Sequence, residues 1–202
     1  MSSPDLPARY TAFHSAGGAL LYSGLGAAWA LLGLLEMRPV GMPWVAVVLG
    51  LITGTLVILS VRAIQRANFV DDEEMSDEIR SERGKRASRS HWVLRVEGFA
   101  ITGISAALVL TQNHAYIAPA TALIVGLHFV ALAPIHHTLG DAIAGLLIVA
   151  LAIATMIWVP GIASIHNNAM NIAAGFGTAL VLWGGALAIL MGKPGSASPE
   201  EE

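Results

Sequence analysis

Two ionisable residues, Glu97 and His128, lie inside stretches of sequence that are otherwise apolar. An ionisable group within a membrane span is costly, so its presence indicates a function or a specific partner. At 1.5 Å per residue, Glu97 lies about 7–8 Å inside its stretch and His128 about 10 Å inside the next, measured from the same side. Only a short polar turn joins the two stretches, which predicts antiparallel neighbours with the two side chains at hydrogen-bonding reach.

Two interpretations of Glu97 and His128 follow from the residue types. The pair is either a buried polar contact that satisfies itself and fixes the register of two helices, or a protonatable site for proton or ion coupling. Glu and His serve as proton relays within membrane proteins, and His changes charge near neutral pH. The sequence alone leaves both interpretations open.

A second polar group stands where the fourth apolar stretch meets the fifth, at His136, His137 and Asp141. With His14 near the start of the first stretch, it predicts a cytoplasmic vestibule. Neighbouring histidines with an aspartate can also bind zinc or another transition metal. The alternative is a polar turn in which Asp141 is favoured by the dipole of a helix N-terminus.

The sequence lacks the residue patterns that several common cofactors require. The chain has no cysteine, which excludes disulfides and thiolate ligands. Haem needs two axial ligands from facing helices at one depth, and His128 has no histidine at its depth. Retinal needs a lysine within a span, whereas the only lysines are Lys85 and Lys193, outside the spans. Phosphate-binding loops and hydrolase motifs are also missing from the sequence. We therefore predict no cofactor, no resident metal, no nucleic-acid partner and no catalytic residue.

The chain that positions these residues has a membrane composition. Of its 202 residues, 55% are hydrophobic and 12% are charged, whereas soluble domains carry about 25% charged residues. A bilayer core needs about 20 apolar residues as helix. Six stretches meet this length and predict an all-α bundle of six transmembrane helices, at Phe13–Leu35, Trp44–Val61, Trp92–Thr111, Tyr116–Ile135, Leu139–Val159 (ended by Pro160-Gly161) and Met170–Met191.

Basic residues predict the orientation of this bundle. Loops rich in Lys and Arg stay cytoplasmic, and the connector 63–91 holds most of the basic residues. Both termini are then cytoplasmic, with an N-terminal tail at 1–12, the membrane domain at 13–191 and a disordered polar tail at 192–202. Basic side chains near a membrane surface attract anionic headgroups, and the expected lipid contacts are Arg80, Arg83, Lys85, Arg86 and Arg89.

Small residues predict how the helices associate. Spanning helices attract one another by close packing, which glycine permits. The first, second, third and sixth stretches are rich in glycine, including Gly50-x-x-x-Gly54. These faces predict close backbone contacts within the bundle, or alternatively a homo-oligomer.

The third and fourth stretches carry the segments VEGFAI and PATALIVGLHFVALAPI. Their Glu97-Gly98 and Gly126-Leu127-His128-Phe129 resemble a group of small bacterial integral membrane proteins of uncharacterised activity. The resemblance covers about a fifth of the chain. This sequence departs from the group's pattern at Ala131 and at His136-His137. The resemblance implies a multi-pass protein of the bacterial inner membrane and implies no activity.

Three hypotheses for function follow from these features. The first is a small transporter or channel-like protein with Glu97 and His128 as an intramembrane protonatable site. The second is a non-catalytic membrane protein that packs, dimerises or binds lipid or a partner through its glycine-rich faces and basic loop. The third is a membrane enzyme that uses the His136, His137 and Asp141 group.

Overall fold

The computed structural model describes residues 8–37, 43–67, 77–136, 138–162 and 168–192, and it is all-α over these residues. One 3-10 turn, His114–Tyr116, precedes the fourth helix. The six helices are α1 (Ala8–Glu36), α2 (Pro43–Ala67), α3 (Asp77–Leu110), α4 (Ile117–His136), α5 (Leu139–Ile162) and α6 (Ala169–Met191). The prediction of an all-α chain with six long apolar helices is therefore confirmed.

Each of the six helices contains a segment long and apolar enough to cross a membrane. Six such helices are what a multi-pass membrane protein requires. Large apolar side chains cover the outer surface of the helices, including Leu51, Phe99 and Leu110, which are 66%, 80% and 82% exposed. A surface of this kind is stable where hydrocarbon chains replace water around it.

The connector and the N-terminal tail are more helical than the sequence analysis predicted. Helix α1 begins at Ala8, inside the predicted tail 1–12, because the first nine residues after Pro7 include neither proline nor glycine. Helix α3 begins at Asp77 and runs without a break into the membrane segment, so most of the predicted loop 63–91 is helix. Residues 1–7 and the predicted disordered tail from residue 193 onward lie outside the described residues.

Helix α5 also passes the residues that were predicted to end it. The sequence Pro160-Gly161 indicated a stop, yet α5 continues to Ile162 with Pro160 inside its last turn. Proline removes one backbone donor and crowds the preceding turn, which is most costly in the middle of a helix. Two residues from the helix end, little helix remains beyond Pro160, so the prediction of a stop there was wrong by one turn.

Helix α6 lies at the centre of the arrangement and packs against α1, α5, α4 and α2. Helix α4 packs on α5, and α3 packs on α4 at one edge of the bundle. Helix α2 packs mainly on α1 at the opposite edge. Consequently, no residue of the spanning segment Ser90–Leu110 in α3 is buried within this chain.

Aromatic rings seated on glycines hold α1 against α6. Tyr22 of α1 lies on Gly185 of α6, where a methyl group on the glycine would come within 2.6 Å of the ring. In the reverse arrangement, Trp183 of α6 lies on Gly26 of α1, where a methyl group on the glycine would also come within 2.6 Å of the ring. Further along, the backbones of Gly33 and Gly175 meet directly. These contacts fix an antiparallel register between the first and last helices.

Helices α4 and α5 cross at a second pair of glycines. A methyl group on Gly126 would lie 2.8 Å from the carbonyl oxygen of Gly145, and one on Gly145 would lie 2.6 Å from that of Gly126. Only glycine allows two backbones to approach this closely. The predicted close backbone contacts between glycine-rich helices are confirmed for the first and sixth helices at Gly33 and Gly175, whereas this crossing of α4 and α5 was not predicted.

A tight turn reverses the chain between α3 and α4. The backbone N–H of Asn113 donates to Leu108 O at 2.8 Å, and the N–H of Gln112 donates to Val109 O at 3.1 Å. This pattern is a Schellman motif, which requires a left-handed residue after the helix. Gln112 fills that position with a φ of 59°. The turn lays α4 antiparallel to α3 and brings their midpoints together.

Candidate intramembrane polar site

The structure brings Glu97 and His128 into contact. His128 Nδ1 lies 3.1 Å from Glu97 Oε2, and the two side chains are 8% and 16% exposed, respectively. Glu97 belongs to the spanning segment of α3 and His128 to that of α4. The predicted proximity of the two side chains is therefore present in the structure.

The burial pattern along α3 shows which face of the helix Glu97 belongs to. Within the spanning segment, partly buried residues recur every three or four positions, which places them on one face of a helix. Glu97 stands within that stripe, while its neighbours Val96 and Gly98 are exposed. The stripe contains Ser90, Val93, Glu97, Ile101, Ser105 and Leu108.

The distance from the α3–α4 turn sets the common depth of the two residues. Glu97 lies 13 positions before the end of α3 at Leu110, which is about 20 Å along the helix. His128 lies 11 positions after the start of α4 at Ile117, or about 17 Å, with the 3-10 turn adding the remainder. The distances from the α3–α4 turn to Glu97 and to His128 are nearly equal, so the two side chains lie at the same depth and meet.

Aromatic side chains connect this pair to a second polar contact. The His128 ring meets Phe129 edge-on, with ring centroids 5.8 Å apart. Phe129 in turn meets Tyr22 of α1 in an edge contact, at 5.1 Å. The Tyr22 hydroxyl then donates a hydrogen bond of 2.7 Å to Asp141 Oδ1 on α5. Side chains from α3, α4, α1 and α5 thus form one continuous series.

Asp141 occupies the first turn of α5, where the helix dipole favours a carboxylate. The Thr138 hydroxyl donates to Asp141 Oδ2. The spacing Thr-x-x-Asp at a helix start resembles the capping box, in which a residue before the helix and one in its first turn bond each other. Asp141 therefore both stabilises the start of α5 and ties it to Tyr22 of α1.

The other predicted site residues are only partly placed. His14 lies on α1 and His136 is the last residue of α4, and the described structure gives their backbone positions only. His137 lies outside the described residues, so the predicted vestibule of these histidines with Asp141 stays a prediction. The predicted lipid-contacting residues all lie on the first part of α3, again as backbone only: Arg80, Arg83, Lys85, Arg86 and Arg89.

Metal binding was considered for the histidine and aspartate group. Within the residues that the structure describes, no group of three or more His, Asp or Glu side chains is close enough to hold a metal ion. The zinc alternative for His136, His137 and Asp141 includes residues beyond that description.

The sequence analysis did not place Tyr22 at the site, and it named Phe129 only within the resemblance. Both are buried, at 4% exposure each. An aromatic residue within an apolar span has no distinctive pattern, because such residues commonly fill a helix interface. The one usable signal was the phenol of Tyr22, which needs a hydrogen-bond partner when buried. Its partner is 119 positions away in sequence, which no local pattern indicates.

Comparison with known proteins adds no family to this description. No protein-family model matches the chain, and neither curated proteins nor solved structures give a match. The resemblance at Glu97-Gly98 and at Gly126–Phe129 therefore stays a prediction. The class of protein is defined by the fold alone, as an all-α chain with six candidate membrane spans.

Proposed function

We propose that this protein is a small transporter or channel-like membrane protein whose protonatable site is the Glu97–His128 pair. The observation that carries the proposal is the 3.1 Å contact between the two side chains within neighbouring candidate spans. A purely structural polar contact needs no ionisable groups, whereas proton coupling requires them. The pair also lies at an edge of the bundle, where α3 packs mainly on α4 among the described residues.

The chemistry of the pair suits proton exchange. A carboxylate and a neutral imidazole together hold one proton fewer than a carboxylate and an imidazolium. Charges inside a low-dielectric environment are costly unless they are paired. The pair can therefore take up one proton to form an ion pair, and release it when the two groups separate or meet water.

The proposed orientation places both termini and the α2–α3 connector in the cytoplasm. Support comes from Arg62 and Arg66, which are exposed at the end of α2 beside the basic connector. Trp44 and Trp158 lie near helix ends, and Trp92 lies near the start of the candidate span of α3. The three side chains are 61%, 66% and 67% exposed, respectively, as expected of residues at a membrane interface. Anionic lipids are then the expected partners of Arg80, Arg83, Lys85, Arg86 and Arg89, and a bacterial inner membrane is the proposed location.

The test is proton flux into liposomes that hold the purified protein and a trapped pH dye. The variant is Glu97→Gln, which keeps the size of the side chain and removes its titration. We expect flux in the wild type and its loss in the variant. The matched control is Glu36→Gln, the same change at the end of α1, which is expected to leave flux unchanged.

Folding of each variant is checked by size-exclusion chromatography and helical circular dichroism. Wild-type flux that persists in folded Glu97→Gln would contradict the proposed role of the pair. Absence of flux in the wild type under every imposed gradient would contradict proton coupling altogether and favour a structural pair.

A second candidate function is a non-catalytic membrane protein that associates with a copy of itself. Gly50 and Gly54 of α2 and Gly98 and Gly103 of α3 have no neighbouring atom within 4 Å of where a side chain would begin. Both helices lie at edges of the bundle, so these glycines do not serve its internal packing. Mass measurement in lipid nanodiscs distinguishes a monomer from a dimer, and Gly54→Leu is expected to abolish a dimer formed through α2.

A further inference from the structure

A single side chain of α1 crosses the bundle to reach the opposite helices. The ring of Tyr22 passes over α6 at Gly185, where a methyl group would come within 2.6 Å of it. Beyond α6, the ring meets Phe129 of α4 and its hydroxyl bonds Asp141 of α5. The missing side chain at Gly185 is what permits this passage.

Tyr22 and Phe129 together form an apolar barrier between two polar contacts. On one side is the Glu97–His128 pair, next to Phe129. On the other is Asp141, two residues from the start of α5 and therefore about 3 Å from that end of the bundle. His128 lies eight residues from the end of α4 at the same end, or about 12 Å. Phe129 lies seven residues from that end of α4, or about 10 Å, so Phe129 and the Tyr22 ring that contacts it lie at depths between His128 and Asp141.

Both rings of the barrier are buried, at 4% exposure each, so neither presents a face to the surroundings of the bundle in this structure. The hydrogen bond to Asp141 holds the Tyr22 ring in place, and hydrogen bonds to carboxylates are stronger than those between neutral groups. Movement of Tyr22 away from Phe129 would open a path from Asp141 to His128.

We propose that Tyr22 is a gating residue, held closed by Asp141, that controls the access of water and protons to the Glu97–His128 pair from the α4–α5 end of the bundle. This inference rests on the proposed function, since it assigns a regulated entrance to the same site. Tyr22 acts on proton exchange through its position and takes no part in holding the proton at the pair.

The experiment measures water access directly by cysteine labelling, which the chain permits because it has no cysteine of its own. The probe is Val125→Cys, one helical turn from Phe129 on the far side of the barrier, treated with a membrane-impermeant methanethiosulfonate. A second probe, Leu139→Cys, is 76% exposed at the start of α5 and shows which side of the vesicle carries the α4–α5 end.

We expect Tyr22→Phe to raise the labelling rate of the Val125→Cys probe about tenfold from that side, because it removes the bond to Asp141 and keeps the ring. Asp141→Asn weakens the same bond and is expected to act in the same direction. Gly184→Ala is the control, since Gly184 has no neighbouring atom within 4 Å and its substitution leaves Tyr22 untouched.

Unchanged labelling in both folded Tyr22→Phe and Asp141→Asn would overturn the gate. Equally fast labelling in Gly184→Ala would overturn it too, because the increase would then reflect general loosening. The proposed function fails separately, when Glu97→Gln leaves the flux intact. The labelling result and the flux result therefore report on different claims.

Discussion

Replacing Gly185 by alanine tests the passage of Tyr22 across α6. The added methyl group would lie 2.6 Å from ring carbons of Tyr22, whereas carbon atoms in contact are about 3.5–4.0 Å apart. The ring must therefore move by about 1 Å. Phe129 meets the ring at a centroid distance of 5.1 Å and restricts this movement. A shift of that size lengthens the 2.7 Å bond to Asp141 beyond hydrogen-bonding range.

The expected magnitude combines three contributions. Overpacking of an interface costs about 1–3 kcal/mol, and the lost hydrogen bond to a carboxylate costs about 1.5–3 kcal/mol. Replacing glycine by alanine within a helix returns about 1 kcal/mol. Gly185→Ala is thus expected to lower the free energy of unfolding by about 1.5–5 kcal/mol. The neighbouring Gly184→Ala meets no atom within 4 Å, so it is expected to raise the free energy by about 0.5–1 kcal/mol.

The assay is reversible unfolding in mixed micelles, or steric trapping in bicelles, for wild type and both variants. A double-mutant cycle with Tyr22→Ala isolates the contact, because the cost of Gly185→Ala should largely disappear when the ring is absent. Equal stabilities of Gly184→Ala and Gly185→Ala would refute the reasoning. If Gly185→Ala lowers the free energy of unfolding by the same amount in the Tyr22→Ala background, the methyl group does not clash with the Tyr22 ring.

Two other substitutions are expected either to stabilise the protein or to leave its stability unchanged in the same unfolding assay. Gln112 has a left-handed φ of 59°, a conformation that costs a non-glycine residue about 1–2 kcal/mol. Gln112→Gly should therefore raise the free energy of unfolding by about 0.5–1 kcal/mol, after subtraction of the greater freedom of glycine in the unfolded chain. A decrease would contradict this account of the turn. Thr178→Val removes a fully buried hydroxyl that has no hydrogen-bond partner among the described residues. The substitution should leave the free energy of unfolding unchanged or raise it by up to about 1 kcal/mol. A loss above about 1 kcal/mol would instead indicate a bound water at that hydroxyl.

Much of the fold followed from length and hydropathy. The need for about 20 apolar residues per span predicted six helices, and the structure has six at those places. Helix ends were less accurate, as at Pro160 and at the start of α3, because backbone hydrogen bonding continues wherever neighbouring residues tolerate it. Helix neighbours were predicted only where the connection was short, as between α3 and α4.

The candidate site divides in the same way. Glu97 and His128 stand out in sequence because ionisable residues are rare within apolar spans, and a short turn placed them at one depth. Tyr22 and Phe129 did not stand out, because aromatic residues within apolar runs are common. Tyr22 contacts Asp141 and Phe129 contacts Tyr22, and both contacts join different helices, so they depend on helix order and rotation.

The sequence by itself determined that the chain forms six long apolar helices. It also determined that a carboxyl group and an imidazole lie at one depth in adjacent spans. Both results follow because helix length, periodicity and turn length are local properties of the sequence. Only the tertiary structure decided that α6 lies at the centre, that α2 and α3 lie at the edges, and that Tyr22 reaches Asp141 past Gly185. The physical reason is that lipid-facing and helix-facing surfaces are equally apolar, so hydropathy does not choose partners in a membrane. The close fit of rings on glycines makes that choice.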